Sequence, residues 1–302
     1  MPLTVRRTPR TGRGFIEPLL DVGEAIPLHM VRIPGGTFTM GSPKDEPERK
    51  EREGPQHDVT VPMFFMGRYP ITQAQYERVM EANPATQYDT DLFVGLNKPV
   101  IGVSWDDAIA FCQRLSELTE RAYRLPSEAE WEHACRAGTT TPFSLGKTLT
   151  TEVANYDGNY PYGDGAKGEY RNETTPVDFF GIANAFGLSE MHGNVWEWCA
   201  DHWHGNYNDA PTDGSAWIEG GDSSLRVRRG GSWYRDPGGC RSACRDDLNP
   251  RFRIFDNGFR VVCTALRKQT TAPRALTLAG VQGQHRATIN LRKQATAPRA
   301  LT

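Results

Sequence analysis

Regular alternation of apolar and polar residues begins at Met30-Val31-Arg32-Ile33-Pro34. Gly35-Gly36 interrupts it and Thr37-Phe38-Thr39-Met40-Gly41 resumes it, so the stretch reads as a β-hairpin. Pro43 to Pro55 is a charged loop, and His57 to Met66 alternates again as a strand. The period then lengthens to that of a helix. Tyr76, Val79 and Met80 form the apolar face of a first helix, with Thr72 as its N-cap. Ala108, Phe111, Cys112, Leu115 and Leu118 mark a second, after Ser104-Trp105-Asp106-Asp107. A third opens at Pro126-Ser127-Glu128, where Ser127 and Glu130 have capping-box spacing, Trp131, Ala134 and Cys135 face inward, and Gly138 ends the helix. Past about residue 140 neither period persists. Gly, Asn, Asp, Tyr and Trp take over, predicting long irregular stretches with short strands. Such chain needs a metal or a dense hydrogen-bond network to stay ordered.

The 302 residues are 38% hydrophobic and 24% charged, which is globular composition with a sizeable core. Gly 30, Pro 21 and Trp 7 point to a turn-rich α+β fold rather than a bundle. Trp131, Trp196, Trp198 and Trp233 are better explained as core anchors than as binding platforms, and Gly193, Gly230 and Gly231 suit tight turns or close backbone approach. Of the 35 Lys and Arg residues seven fall from Leu266 onward, where no Asp or Glu occurs, leaving 28 basic against 37 acidic residues before it. The tail also repeats itself: Leu266–Thr277 recurs almost letter for letter at Leu291–Thr302. With few large apolar groups it is expected to be flexible, the alternative being an arm that contacts nucleic acid or another polyanion. The expected organisation is a leader over 1–27, a folded body over 28–264 and this basic tail over 265–302.

No apolar stretch of signal-peptide length opens the chain, and no run reaches membrane-spanning length, so a cytoplasmic protein without a membrane span is expected. The six cysteines, Cys112, Cys135, Cys199, Cys240, Cys244 and Cys263, include no CxxC pair. Cys112 and Cys135 read as buried thiols, whereas Cys240 and Cys244 are spaced for a disulfide or half a metal site.

Five ordered stretches carry a family resemblance. They are Ile33–Gly41; Pro99–Trp105; Arg124–Glu132; Asn184–Leu188 with Gly193–Trp198; and Arg229–Trp233 with Gly258–Arg260. Together they resemble the sulfatase-modifying-factor, or formylglycine-generating-enzyme, family. The resemblance implies the formylglycine-generating-enzyme subtype of the C-type-lectin-like fold, an α+β domain rich in irregular loops. It also implies structural calcium, which takes six to eight oxygen ligands. One set would be the side chains of Asn155 and Glu169 with the carbonyls of Tyr156 and Arg171. The other would be Glu190 and Glu197 with the carbonyls of Gly193 and Val195. Glu169 stands where Asp is expected, and Glu190 where the family can have Asn.

The catalytic members hold copper(I) between two cysteines, soft ligands for a soft ion. The first of those positions here is Arg235, which cannot ligate a cation. Cys240 remains, with Cys244 as a distant candidate partner. No copper and no catalysis are expected. His192, His202 and His204 read as satisfied polar residues.

Residues 234–256 lack Lys, Glu, Gln, Met and Trp. Those are the residue types that an AAC codon randomised at its adenines never yields. Pro237, Cys240-Arg241-Ser242-Ala243, Arg245, Asn249-Pro250 and Gly258–Val262 punctuate the run. The stretch 229–262 resembles the variable region of bacterial retroelement variable proteins, which use the same lectin-like fold. The resemblance implies a non-catalytic protein whose exchangeable surface binds a protein or other macromolecular ligand. The exchangeable residues would be Tyr234, Arg235, Asp236, Gly238, Gly239, Cys244, Asp246, Asp247, Leu248, Arg251, Phe252, Arg253, Ile254, Phe255 and Asp256. Tyr, Phe and Arg are the types that dominate binding hot spots. The alternative is a formylglycine-generating copper oxidase acting on cysteine in target proteins.

Overall fold

The three expected helices fall where the periodicity places them, each opened by its own side-chain cap. In the computed structural model, which describes residues 13–18 and 20–264, the elements run in chain order as β1 (Gly14–Ile16), β2 (His29–Ile33), β3 (Gly36–Met40), β4 (His57–Val61), β5 (Phe64–Gly67), α1 (Gln73–Met80), α2 (Thr90–Phe93), α3 (Trp105–Thr119), β6 (Tyr123–Arg124), α4 (Glu128–Arg136), β7 (Trp196–Trp203), β8 (Asp222–Arg229), β9 (Arg245–Leu248), β10 (Asn257–Gly258) and β11 (Val262–Cys263). Thr72, Ser104 and Ser127 each accept a hydrogen bond from the backbone N–H three residues on, and Gln75, Asp107 and Glu130 return it, completing three capping boxes. Ala137, in the left-handed region at φ 47°, caps α4 one residue before the expected Gly138.

The strands differ from expectation in one respect. β2 and β3 do not pair as a hairpin. β2 lies between β1 and β5 in a five-stranded sheet ordered β1-β2-β5-β11-β6, while β3 pairs with β4 in a separate ribbon. The reason is the crowding at Gly35, where a Cβ would stand 2.8 Å from the Met63 nitrogen and 2.9 Å from the Val61 carbonyl oxygen. The chain between β4 and β5 therefore runs against the point where a hairpin would turn. Pro62 and Met63 likewise split the expected strand 57–66 into two.

A second sheet, ordered β10-β7-β8-β9, contains the two longest strands. Between α4 and β7 the chain is irregular, as the composition predicts. One apolar core joins α1 and α3 to the first sheet, with Phe111 stacked on Tyr76 and edge-on to Phe259. Another gathers around Trp131 and Met66. Each large side chain so buried contributes about 1.5–3 kcal/mol. Trp131, Trp196, Trp198 and Trp233 are all buried, as are Cys112 and Cys135. The described part of the leader adds β1 as an edge strand on β2. Residues 1–12 and the repeated tail lie outside the described residues.

Candidate exchangeable face between β8 and β10

The segment 230–256 leaves the second sheet at the end of β8, contributes β9 to one edge, and returns as β10 on the other edge beside β7. Both its ends are tied down. Ser232 Oγ donates to Asp256 Oδ2 at 2.9 Å. Gly231, at φ 71°, lets the chain pass so close to Cys240 that a Cβ would lie 2.5 Å from its sulfur. Trp233 is buried against Phe93, Tyr170 and Phe255. Tyr234 follows it outward, 52% exposed, with its ring edge-on to Trp233 and Phe255.

Between these ties the side chains are sorted. Tyr234, Arg235, Asp236, Arg251, Phe252 and Arg253 are exposed. Gly239, Asp246, Asp247, Leu248, Ile254 and Phe255 are half-buried. The interleaved Pro237, Cys240, Arg241, Ser242, Ala243 and Arg245 are all buried. Three residues expected on the face are not on it. Gly238 is packed beneath the Glu48 carboxylate, Cys244 is only 6% exposed, and Asp256 is occupied by Ser232.

Buried guanidinium groups fasten the segment to the body. Arg241 holds Glu53 through two nitrogens at 2.8 and 2.6 Å and Glu46 at 2.6 Å. Arg245 grips Glu128 at 2.8 and 2.6 Å between the rings of Trp203 and Tyr207. The loop 250–254, by contrast, is held by its backbone. The carbonyls of Pro250, Arg253 and Ile254 accept from Trp105 N–H, Tyr88 O–H and Gly102 N–H. The side chains of Arg251, Phe252 and Arg253 are left outward, where Arg253 forms a pair with Asp107 at 2.7 Å.

Beside Arg235 opens a cleft of about 190 Å³. Trp196, Cys244 and Asp246 line it, along with Glu48, Lys50 and Arg52 from the charged loop. No periodicity or spacing along the chain joins that loop, Tyr170 or Trp196 to this face. Their proximity is tertiary.

The residues expected to hold calcium fall into two different situations. Segments 155–158 and 168–173 lie side by side, with Gly168 N–H donating to the Gly158 carbonyl at 2.8 Å and Asn155 Nδ2 donating to the Glu173 carbonyl at 2.8 Å. Asn155 is buried, and its Oδ1 acceptor has no partner. Glu169 is exposed and paired with the side chain of Arg171 at 2.9 Å. The second set does not fit a cation. Glu197 is clamped by Arg260 at 2.6 and 2.7 Å and accepts from Trp131 Nε1 at 2.7 Å, so a positive charge already saturates it. Glu190 accepts from Asn194 Nδ2, and burial pushes its carboxyl up to about 8. Gly193 and Val195 between them are buried, with the Val195 N–H donating to the Gly193 carbonyl.

Cys240 and Cys244 are both free thiols. Burial pushes the Cys244 thiol up to about 11 and that of Cys240 well above its usual range, against thiolate formation. His192 is satisfied by the Cys240 carbonyl and Ser144 Oγ, with burial pushing it down to about 4. His202 is half-buried, and His204 stacks on Trp217 at 3.4 Å. Among the described residues, no three His, Cys, Asp or Glu side chains converge on a metal position, and no helix is long and apolar enough to cross a membrane.

Comparison with known proteins fits this geometry. The family model of the sulfatase-modifying factor enzyme 1-like domain matches residues 24–265. The chain is 30% identical over 286 residues to the formylglycine-generating enzyme of Mus musculus, spanning 76% of this chain and 74% of the mouse protein. The structure of PvdO from Pseudomonas aeruginosa matches at TM-score 0.70 and 34% identity, covering 85% of this chain and 100% of PvdO. Treponema denticola variable protein 1 matches at TM-score 0.64 and 23% identity, with 85% and 100% covered. The α+β architecture is thus the C-type-lectin-like one shared by formylglycine-generating enzymes and variable proteins.

Proposed function

The chain belongs to the family of sulfatase-modifying factor enzyme 1-like domains, and from that premise we propose that it is a non-catalytic member that binds a protein or other macromolecule through an exchangeable surface, in the manner of a retroelement variable protein. The observation that carries this reading is the sorting inside residues 234–256. Tyr234, Arg235, Asp236, Arg251, Phe252 and Arg253 are exposed, while Arg241, Ser242, Ala243 and Arg245 between them are buried. Arg235, Arg251 and Phe252 can be exchanged at a cost within about 0.5 kcal/mol each, and Arg253 within about 1 kcal/mol, whereas the buried kind cannot. Exposed Tyr234 and Phe252, 52% and 56% accessible, offer rigid aromatic contacts flanked by arginine, the composition of hot spots.

The rival oxidase needs two thiolates around copper. Arg235 stands at the first position, and the thiols of Cys240 and Cys244 are buried with raised pKa values. These features favour recognition over catalysis. Structural calcium belongs to the proposal only at the first set. There Asn155 supplies a buried oxygen without a partner, with the Tyr156 and Arg171 carbonyls and Glu169 as further oxygen donors. Its chemistry would be purely structural. Asp157 N–H donates to the Arg235 carbonyl at 2.8 Å, so order in that stretch supports the face directly.

The test is a display library randomised at Tyr234, Arg235, Arg251, Phe252 and Arg253. Most members are expected to fold with near-parental melting temperatures and to yield binders to an unrelated bait such as lysozyme. A library that largely fails to fold sinks the proposal. Copper-dependent conversion of a cysteine-bearing peptide to formylglycine by the parent protein would establish the rival.

A further inference from the structure

Residues 217–221 run back along the end of β7, and two of the ties that hold them there are ionisable side chains. The backbone supplies one bond, from His202 N–H to the Trp217 carbonyl at 3.0 Å. Asp201 supplies a second, its Oδ1 accepting from Trp217 N–H at 2.8 Å. His204 supplies the third, with Nε2 2.9 Å from the Glu219 carbonyl, while its Nδ1 lies 3.2 Å from the His202 carbonyl. The imidazole lies flat on the Trp217 indole, 3.4 Å between centroids and 7° between planes. Gly221 passes the ring so closely that a Cβ there would stand 2.5 Å from His204 Cε1. Beside this contact opens a groove of about 750 Å³, lined by residues from 203–209 and from 217–222.

Carbonyl oxygens only accept, so both ring nitrogens of His204 must donate if both contacts are hydrogen bonds. The imidazolium alone carries two N–H groups. A neutral ring turns a lone pair on one of the two carbonyls, and swinging the ring to relieve that breaks its stack on Trp217. The stack itself favours the cation, whose charge meets the indole face. The surroundings carry both signs. Asp209, Glu219 and Asp222 line the groove with His204. Against them, Arg245 of β9 donates from Nη1 to the His204 carbonyl at 2.9 Å, and Arg52 stacks on Trp203. His202, itself under the influence of Arg226, completes the set. Asp201 acts in the same sense as His204. Burial and then Glu128 push its carboxyl up to about 7, against the pull of Arg245. That lies above the ordinary 3.8, so its ionisation disfavours the folded arrangement as pH climbs from about 4 to about 7.

We propose that His204 is a protonation-dependent clasp: as an imidazolium it pins residues 217–221 against β7 and narrows the groove, and on losing its proton it lets that segment lift. The inference does not rest on the reading of 234–256 as a recognition face. Histidine is the side chain whose ordinary charge change falls between about pH 5 and 8. The groove is therefore closed in mild acid and open in mild base.

Two measurements on the full-length protein test this. Long-range 1H–15N correlation, with the His204 ring assigned by its loss in His204→Gln, should show both ring nitrogens protonated at about pH 5 and one at about pH 8.5. Amide exchange followed by mass spectrometry, corrected for the intrinsic pH dependence of exchange, reads the segment itself. Residues 217–221 should lose about tenfold in protection between those two conditions, the scale of one hydrogen bond to a charged group, while β5 in the first sheet keeps its protection. His204→Gln can donate to the Glu219 carbonyl but cannot titrate, and should remove most of that difference. Protection at 217–221 that stays constant in the parent overturns the proposal. Equal pH dependence in the parent and in His204→Gln assigns the effect to Asp201 and overturns the clasp. If the variant does not fold, the parent decides alone. A His204 ring with one proton at about pH 5, or one that gains its second proton with no change in exchange at 217–221, also sinks the idea.

Discussion

Between residues 234 and 256 the chain places five arginines, and they fall into two populations. Arg241 and Arg245 are 0% exposed, each with a carboxylate held through two nitrogens. Arg235, Arg251 and Arg253 lie at the surface, and of these Arg253 has an ion-pair partner, the accessible Asp107. The residue type is the same and all five lie on one short segment. What differs is whether the groups across from the guanidinium are fixed and dry. A paired charge taken out of water becomes a structural joint that tolerates no exchange, while a charge left in water is energetically almost idle. One short segment can therefore be rigid in its path and free in its surface.

The sharpest way to break this contrast is at the buried pair. Arg245→Ala leaves Glu128 in the interior with the Tyr207 hydroxyl donating to it at 3.1 Å and only a longer contact to a cation, Arg229 at 3.6 Å. Arg241→Ala strands Glu46 and Glu53 together. Each should cost about 3–5 kcal/mol, comparable to much of a domain's stability. Urea titration followed by tryptophan fluorescence measures it. Melting behaviour equal to the parent in both variants would mean that these joints do not hold the segment.

The same distinction separates the two carboxylate sets read for calcium, and the expected effect is next in size. Glu197 already has its cation in Arg260, whereas Asn155 Oδ1 has none. After chelation, returning calcium should raise the melting temperature, by an amount equivalent to about 2.7 kcal/mol at a hundredfold excess over Kd. Asn155→Ala should abolish that gain and Glu190→Gln should leave it. Superimposable melts in calcium and in chelator remove calcium from the first set as well.

What could be read from the sequence, and what could not, follows the range of the interactions involved. The capping boxes at Thr72, Ser104 and Ser127 are decided within four residues, and all three are where the pattern put them. The hairpin expected at 30–41 failed because β2 and β3 find partners elsewhere, and nothing local to Gly35 announces that β4 and β5 will meet there. The outward residues of 234–256 were legible because their types differ from the intervening Arg-Ser-Ala and Pro positions. Gly238 and Asp256 are off the face because Glu48 and Ser232, distant in sequence, cover the one and tie the other, and Cys244 because it turns inward, 6% exposed. The carboxylates that hold Arg241 lie 188 and 195 residues away, beyond any periodicity. The charged loop 43–55, read only as a loop, supplies those carboxylates as well as one wall of the cleft.

The smallest effect is the most discriminating, because it asks whether an ion pair drawn on the surface carries load. Arg253 meets Asp107 through two nitrogens at 2.7 and 2.8 Å, which is good geometry, and Asp107 also completes the capping box of α3. Geometry alone would give it the weight of Arg245. Exposure argues otherwise: the Arg253 side chain is 51% accessible and that of Asp107 26%, so water and salt screen the pair to roughly 0.2–1 kcal/mol. Arg253→Ala is thus expected to shift the urea midpoint barely, and less still at high salt. Arg251→Ala, with no ion pair to lose among the described residues, should shift it by no measurable amount. If Arg253→Ala instead destabilised the protein as strongly as Arg245→Ala, the loop 250–254 would depend on its side chains and not on the backbone bonds from Trp105 and Gly102. An exchangeable surface could not then be built there.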